Sequence, residues 1–127
     1  MTVIYKKSHI KNAPLEREEQ ITFFNQLRKR KPEIAAVAIH IKNEGKRTVQ
    51  QVSSDKAEGM VTGAPDIVIC GNPTLLIELK RRTKSAKPRE AQVNFLNAAD
   101  KLGAMCAVCW GWEQAWEVVE QWQKIEK

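Results

Sequence analysis

Two apolar runs lie close together in the middle of the chain, "PDIVIC" at 65–70 and "TLLIELK" at 74–80. Each is short and apolar at odd and even positions alike, which is the pattern of a strand covered on both faces. Gly71, Asn72 and Pro73 supply a turn between them. Such a pair calls for a sheet with helices on both sides, since each apolar face has to be buried against something.

The flanking sequence provides those helices. "LEREEQITFFNQLRKR" follows Pro14 and sets Leu15, Phe23, Phe24 and Leu27 among early acids and late bases, in the sense that suits a helix dipole. Pro32 ends it. "EIAAVAIHIK" (33–42) reads as a strand with Val37, Ile39 and Ile41 on one face and Ala36, Ala38 and His40 on the other. The polar stretch that follows reads as a loop with a short helix near 49–58. "PREAQVNFLNAADKLG" reads as a helix with Pro88 at its start and Gly103 as its cap. "AMCAVCW" is a further strand, and "EQAWEVVEQWQKIE" closes the chain as an amphipathic helix with Trp116, Val119 and Trp122 on one stripe. The expectation is an α/β fold in one domain over 14–127. The basic segment 1–13 is a mobile arm or an added edge piece.

The 127 residues suffice for one core, and the formal net charge of +6 favours a polyanionic partner, nucleic acid above all. No apolar stretch is long enough to cross a bilayer, and Lys and His stand where a signal peptide needs its apolar segment. Both point to an intracellular protein. Cys106 and Cys109 have CxxC spacing, but no second pair completes a zinc site, and in a strand the two point to opposite faces.

Charge at the ends of the central strands is the chemical signal. Alternation puts Glu78 and Lys80 on one face and Leu79 on the other. A hairpin about Asn72–Pro73 brings Asp66 opposite position 78 or 79, and an odd-membered turn or a bulge sets it on the face of Glu78. Two carboxylates so close repel one another, a conflict that a divalent cation removes. Oxygen ligands suit Mg²⁺ or Mn²⁺ rather than zinc. A purely structural ion pair of Lys80 with Asp66 or Glu78 is the competing reading of the same spacing.

"GAPD" followed by "IELK" resembles the signature of the PD-(D/E)XK nuclease superfamily. With "EREEQ", "IHIKNEGKR", "GMVTGAPD", "IELKR" and "AQVNFL" in order, the chain is similar to the VRR-NUC branch in its small stand-alone form from phages and bacteria. The resemblance implies a restriction-endonuclease-like αβββαβ core, a mixed central sheet flanked by helices. It implies Asp66 and Glu78 as metal ligands, with the Leu79 carbonyl as a third. Lys80 would position or deprotonate the attacking water, and Gln92 would hold Lys80 or a water of the metal shell. One of Glu16, Glu19 and Gln20 would reach that shell from the first helix. The implied activity is a Mg²⁺- or Mn²⁺-dependent endodeoxyribonuclease acting on branched, Holliday-junction-like DNA and leaving 5′-phosphate ends. A flap- or nick-directed nuclease and a non-catalytic nucleic-acid-binding module of the same fold are the alternatives.

Lys46, Arg47, Arg81, Arg82, Lys84, Lys87 and Arg89, and the "RKRK" at 28–31, are candidates for phosphate contacts, against the alternative of a solvated face. His40 either looks toward the cleft or is structural, and Asn43 and Gly45 shape a turn. Trp110, Trp112, Trp116 and Trp122 are many for this length. They suggest a homodimer interface, which would also supply the second site for paired cuts.

Overall fold

The two central runs form β3 (Ile67–Ile69) and β4 (Leu75–Lys80), an antiparallel pair joined through residues 70–74. This computed structural model describes residues 2–42 and 48–125, so the readings placed on Asn43, Glu44, Gly45, Lys46 and Arg47 lie outside the described residues. Around β3 and β4 a five-stranded sheet is ordered β1-β5-β4-β3-β2, with β1 (Ile4–Lys6), β2 (Ala38–His40) and β5 (Met105–Trp110). β5 runs parallel to β4 and β1, while β2 and β4 run antiparallel to β3, so the sheet is mixed. This is the restriction-endonuclease-like arrangement expected from the sequence.

Helices α1 (Glu16–Arg30) and α5 (Trp112–Gln123) cover one face. Phe23 and Leu27 of α1 and Trp116, Val119 and Trp122 of α5 bury against Ile67, Ile77, Leu79 and Cys109. Each such large side chain contributes about 1.5–3 kcal/mol by leaving water. Helix α4 (Glu90–Lys101) covers the other face, where Leu96 meets Leu76, Cys106, Val108 and Trp110. Cys106 and Cys109 thus sit on opposite sides of the sheet and share no site.

The structure refines the expected elements in several places. Residues 33–36 are not strand: α2 (Pro32–Ala35) forms first, with Pro32 in its first turn and the helix-favouring Glu33 and Ala35 behind it. In the short β2 the expected alternation holds, and it is the face of Ala38 and His40 that turns to the α1 side. Ala38 packs on the core, whereas Val37 and Ile39 are exposed at the sheet edge. The N-terminal segment is an added edge piece, for Ile4–Lys6 pair in parallel with Ala107–Cys109. Helix α3 (Val49–Ala57) forms as expected, capped by Thr48, whose hydroxyl accepts from the Gln51 amide at 3.1 Å. Pro14 and Pro88 each stand just ahead of the helix cap rather than inside the first turn.

Candidate active site

The register of β3 and β4 pairs Ile67 with Ile77, so its continuation sets Asp66 directly opposite Glu78. The connection of residues 70–74 has the odd length that this requires. Directly opposed residues share a face, and here it is the face of α4, since Ile67, Ile77 and Leu79 point into the α1–α5 core. Lys80, two residues beyond Glu78, follows on the same side.

Each member is fixed by a named contact. The Leu79 amide donates to Asp66 Oδ2 at 2.8 Å. Gln92 reaches down from α4, and its Nε2 donates to Glu78 Oε2 at 2.8 Å. Lys80 Nζ lies 3.2 Å from the same Oε2 and donates to Gln92 Oε1 at 3.1 Å. The Arg89 backbone amide also donates to Gln92 Oε1, at 2.8 Å. That bond caps the start of α4 and fixes which way the amide faces, with its oxygen toward Lys80 and its nitrogen toward Glu78. The sequence carries a faint signal of it, a glutamine three residues after the cap position.

Burial makes these charges unusual. Glu78 is 1% exposed and Gln92 7%. Desolvation, reinforced by the neighbouring Asp66, pushes the Glu78 carboxyl up to about 8. Desolvation also raises Asp66, against the opposing effects of the Leu79 amide and Lys80. Glu78 Oε1 is buried with no amine or amide donor among the described residues, and the Glu78 and Asp66 carboxyls lie within hydrogen-bonding reach of one another. An orphaned carboxylate oxygen beside a second carboxylate is a donor set that fits a hard divalent cation. Among the described residues no group of three or more His, Cys, Asp or Glu gathers anywhere. Any further ligands would have to be water, backbone carbonyls or substrate oxygens.

The first-helix candidates separate. Glu19 is 2% exposed and gripped by Arg82, with Nε to Oε2 at 2.7 Å and Nη2 to Oε1 at 3.3 Å. Gly111, at φ 98°, packs against this pair so closely that an added Cβ would lie 2.6 Å from Arg82 Cδ. Glu16 and Gln20 line an open cleft of about 440 Å³ with His40 and Lys42, on the α1 side of the sheet. His40 joins the two sides, its Nδ1 lying 3.0 Å from the Asp66 carbonyl oxygen.

The basic candidates also sort by contact. Arg81 donates to the Ala13 and Pro14 carbonyls, from Nη2 at 2.7 Å and Nε at 3.0 Å. With Arg82 on Glu19, it ties the start of α1 to the end of β4. Lys84, Lys87 and Arg89 are exposed on the loop after β4. The 28–31 cluster ends α1, roughly 21 Å along the helix from Glu16 at 1.5 Å per residue. Arg30 there stacks on Trp116, 4.4 Å from the ring centroid. Trp110, Trp116 and Trp122 are buried within the single chain, and Trp112 is half-buried against the same core.

No family model matches the sequence, and no curated protein does. A solved structure described as a "VRR_NUC domain protein" shares the fold at a TM-score of 0.77 and 22% identity. The superposition covers 93% of this chain and 94% of that one. At this identity the likeness is one of fold, and it falls on the branch that the motifs resemble. No helix among the described residues is long and apolar enough to cross a membrane.

Proposed function

We propose that this chain is a nuclease of the VRR-NUC type, a divalent-metal-dependent endonuclease that hydrolyses DNA phosphodiester bonds at Asp66, Glu78 and Lys80. The observation that carries the reading is the direct pairing of the buried Glu78 carboxyl with the half-buried Asp66 carboxyl, with no amine or amide donor on Glu78 Oε1, within reach of a lysine on the same strand. A structure built only for stability has little use for that. A structural ion pair would satisfy both oxygens, and burial without a compensating partner costs free energy.

Asp66 and Glu78 would hold Mg²⁺ or Mn²⁺, with the Leu79 carbonyl as the third protein ligand. When bound there, such an ion supplies charge neutralisation for the phosphate and a more acidic water. The remaining work belongs to the chain. Lys80, held by Gln92, presents ammonium protons toward the attacking water and the scissile phosphate. The Leu79 amide keeps Asp66 aimed across the strand pair, and Gln92 keeps Glu78 Oε2 engaged so that Oε1 is left for a further ligand. Glu16 and Gln20 would contribute to the water network from the cleft on the α1 side. Glu19 serves as the anchor of Arg82. Products would carry 5′-phosphate and 3′-hydroxyl ends.

The substrate in this reading is branched DNA of the four-way-junction kind, cut on both strands by two copies related by a two-fold axis. The net charge of +6 supports a polyanionic substrate, and the protein would act where the cell's DNA lies, in the cytoplasm of a bacterium or phage-infected host. Labelled duplex, single strand, flap and four-way junction, each offered with Mg²⁺, with Mn²⁺ and with EDTA, test it. Cutting of the junction in preference to the duplex, with either metal, is the expected result. Preferred cutting of the flap would give the alternative flap-directed reading. Binding without cutting in any metal would leave a nucleic-acid-binding module of the same fold.

A further inference from the structure

The sheet face that carries Glu78 and Lys80 continues past β4. Lys80 is the register partner of Trp110 in β5, and Tyr5 in β1 is the partner of Val108. Val108 and Trp110 belong to the α4-side core, so Tyr5 and, two residues on, Lys7 stand on the catalytic face. Tyr5 is left 47% exposed there.

The loop after β4 crosses over this row. Trp110 Nε1 donates to the Ala86 carbonyl at 2.8 Å, and Lys7 Nζ sits 6.0 Å from the Trp110 ring centroid. Between the loop and β1 runs an open groove of about 260 Å³ lined by Tyr5, Lys7, His9, Lys84, Lys87 and Trp110, with no carboxylate among its lining residues. Its N-terminal wall is fixed in place. The Ile10 amide donates to the Arg82 carbonyl at 3.1 Å, and Arg81 holds Ala13 and Pro14.

We propose that this groove is a subsite for one unpaired strand of DNA, with phosphates on Lys7, Lys84 and Lys87 and a base stacked on Tyr5. The proposal rests on the nuclease reading of the neighbouring site, and it assigns a role to a segment outside the motifs that carry that reading. Lysines without acidic neighbours along one narrow track suit a phosphate backbone. An aromatic ring open to solvent beside them suits an unstacked base. Duplex bases are already stacked on one another and cannot lie on the ring. The strand would lead from the scissile phosphate at Lys80, over Trp110, to the β1 edge.

The test measures binding in EDTA, so that cleavage plays no part. Labelled oligothymidylate and a blunt duplex of equal length are titrated against the wild type, Tyr5→Ala, Tyr5→Phe and Lys7→Gln. Tyr5→Ala should weaken single-strand binding about tenfold and leave duplex binding within about twofold, while Tyr5→Phe keeps both. Lys7→Gln should reduce the salt slope of single-strand binding by about 1. Equal loss on both ligands, or no loss in a folded Tyr5→Ala, overturns the subsite. Should Tyr5→Ala fail to fold, photocrosslinking of a 5-iodouracil strand to the wild type decides. Adducts on Tyr5 support the proposal, and adducts only elsewhere overturn it. Single-strand binding through Tyr5 in a protein that never cuts DNA would instead count against the catalytic reading alone.

Discussion

Gln92 on α4 donates to Glu78 on β4 across 2.8 Å, in a layer where both side chains are almost wholly buried. The same amide accepts from Lys80 and from the Arg89 backbone, so one side chain sets the geometry of both neighbours to which a catalytic role is proposed. The start of α4 and the end of β4 are therefore a single hydrogen-bonded unit.

Removing that amide should disable the site more than the fold. Gln92→Ala deletes the bonds to Glu78 and Lys80 and is expected to slow cleavage about 10- to 100-fold, the usual effect of losing a partner that orients a metal ligand. The stability cost should be about 1–3 kcal/mol, since Glu78 loses a buried donor. Cleavage rates and urea unfolding on the same samples check both numbers.

Glu78 should make the metal-free protein less stable at alkaline pH. Its carboxyl is raised in the fold from 4.5 to about 8, first by desolvation and then by Asp66. Between those values the folded protein keeps a proton that the unfolded chain has released, so stability falls as pH rises through that window. The cost is absent below the lower value and complete above the upper one. Glu78→Gln removes the charge while its amide can still accept from Gln92. It should therefore be more stable than the wild type at pH 8.5 by at least about 1 kcal/mol, with no such advantage at pH 4. Thermal unfolding in EDTA across this range measures the difference. Added Mg²⁺ should stabilise the wild type and leave Glu78→Gln unmoved.

Glu19 and Arg82 should behave as an anchor. Glu19→Ala leaves a largely buried guanidinium with only the more exposed Glu113, 3.4 Å from Nη1, and is expected to cost about 3 kcal/mol. Mg²⁺ affinity of the folded variant, read by calorimetry, should match the wild type. A Mg²⁺ affinity lowered tenfold in a folded Glu19→Ala would return Glu19 to the metal shell.

Much of this was open to reading in the chain. β3 and β4 were visible as apolar runs because both of their faces are covered, and the odd-length turn set Asp66 on the side of Glu78. The edges were harder. β1 is three residues long in a basic segment, and its pairing with β5 is a long-range contact that no local pattern announces. Which β2 face meets the core was not readable because Val37 and Ile39 lie on an uncovered edge, where alternation carries no burial information. Arg81 and Arg82 read as phosphate contacts because a partnered arginine and a solvated one look alike in sequence. Only the fold brings Ala13 and Glu19 beside them.

Cleavage by the two carboxylate variants is the most direct measurement. A labelled four-way junction is incubated with Mg²⁺ or with EDTA, using the wild type, Asp66→Ala and Glu78→Ala, each first shown to be folded. The expected result is cutting by the wild type in Mg²⁺ alone, none in EDTA, and none by either variant, with junction binding retained in both. Cutting by the wild type in EDTA, or full activity in Glu78→Ala, would contradict the assignment of this site.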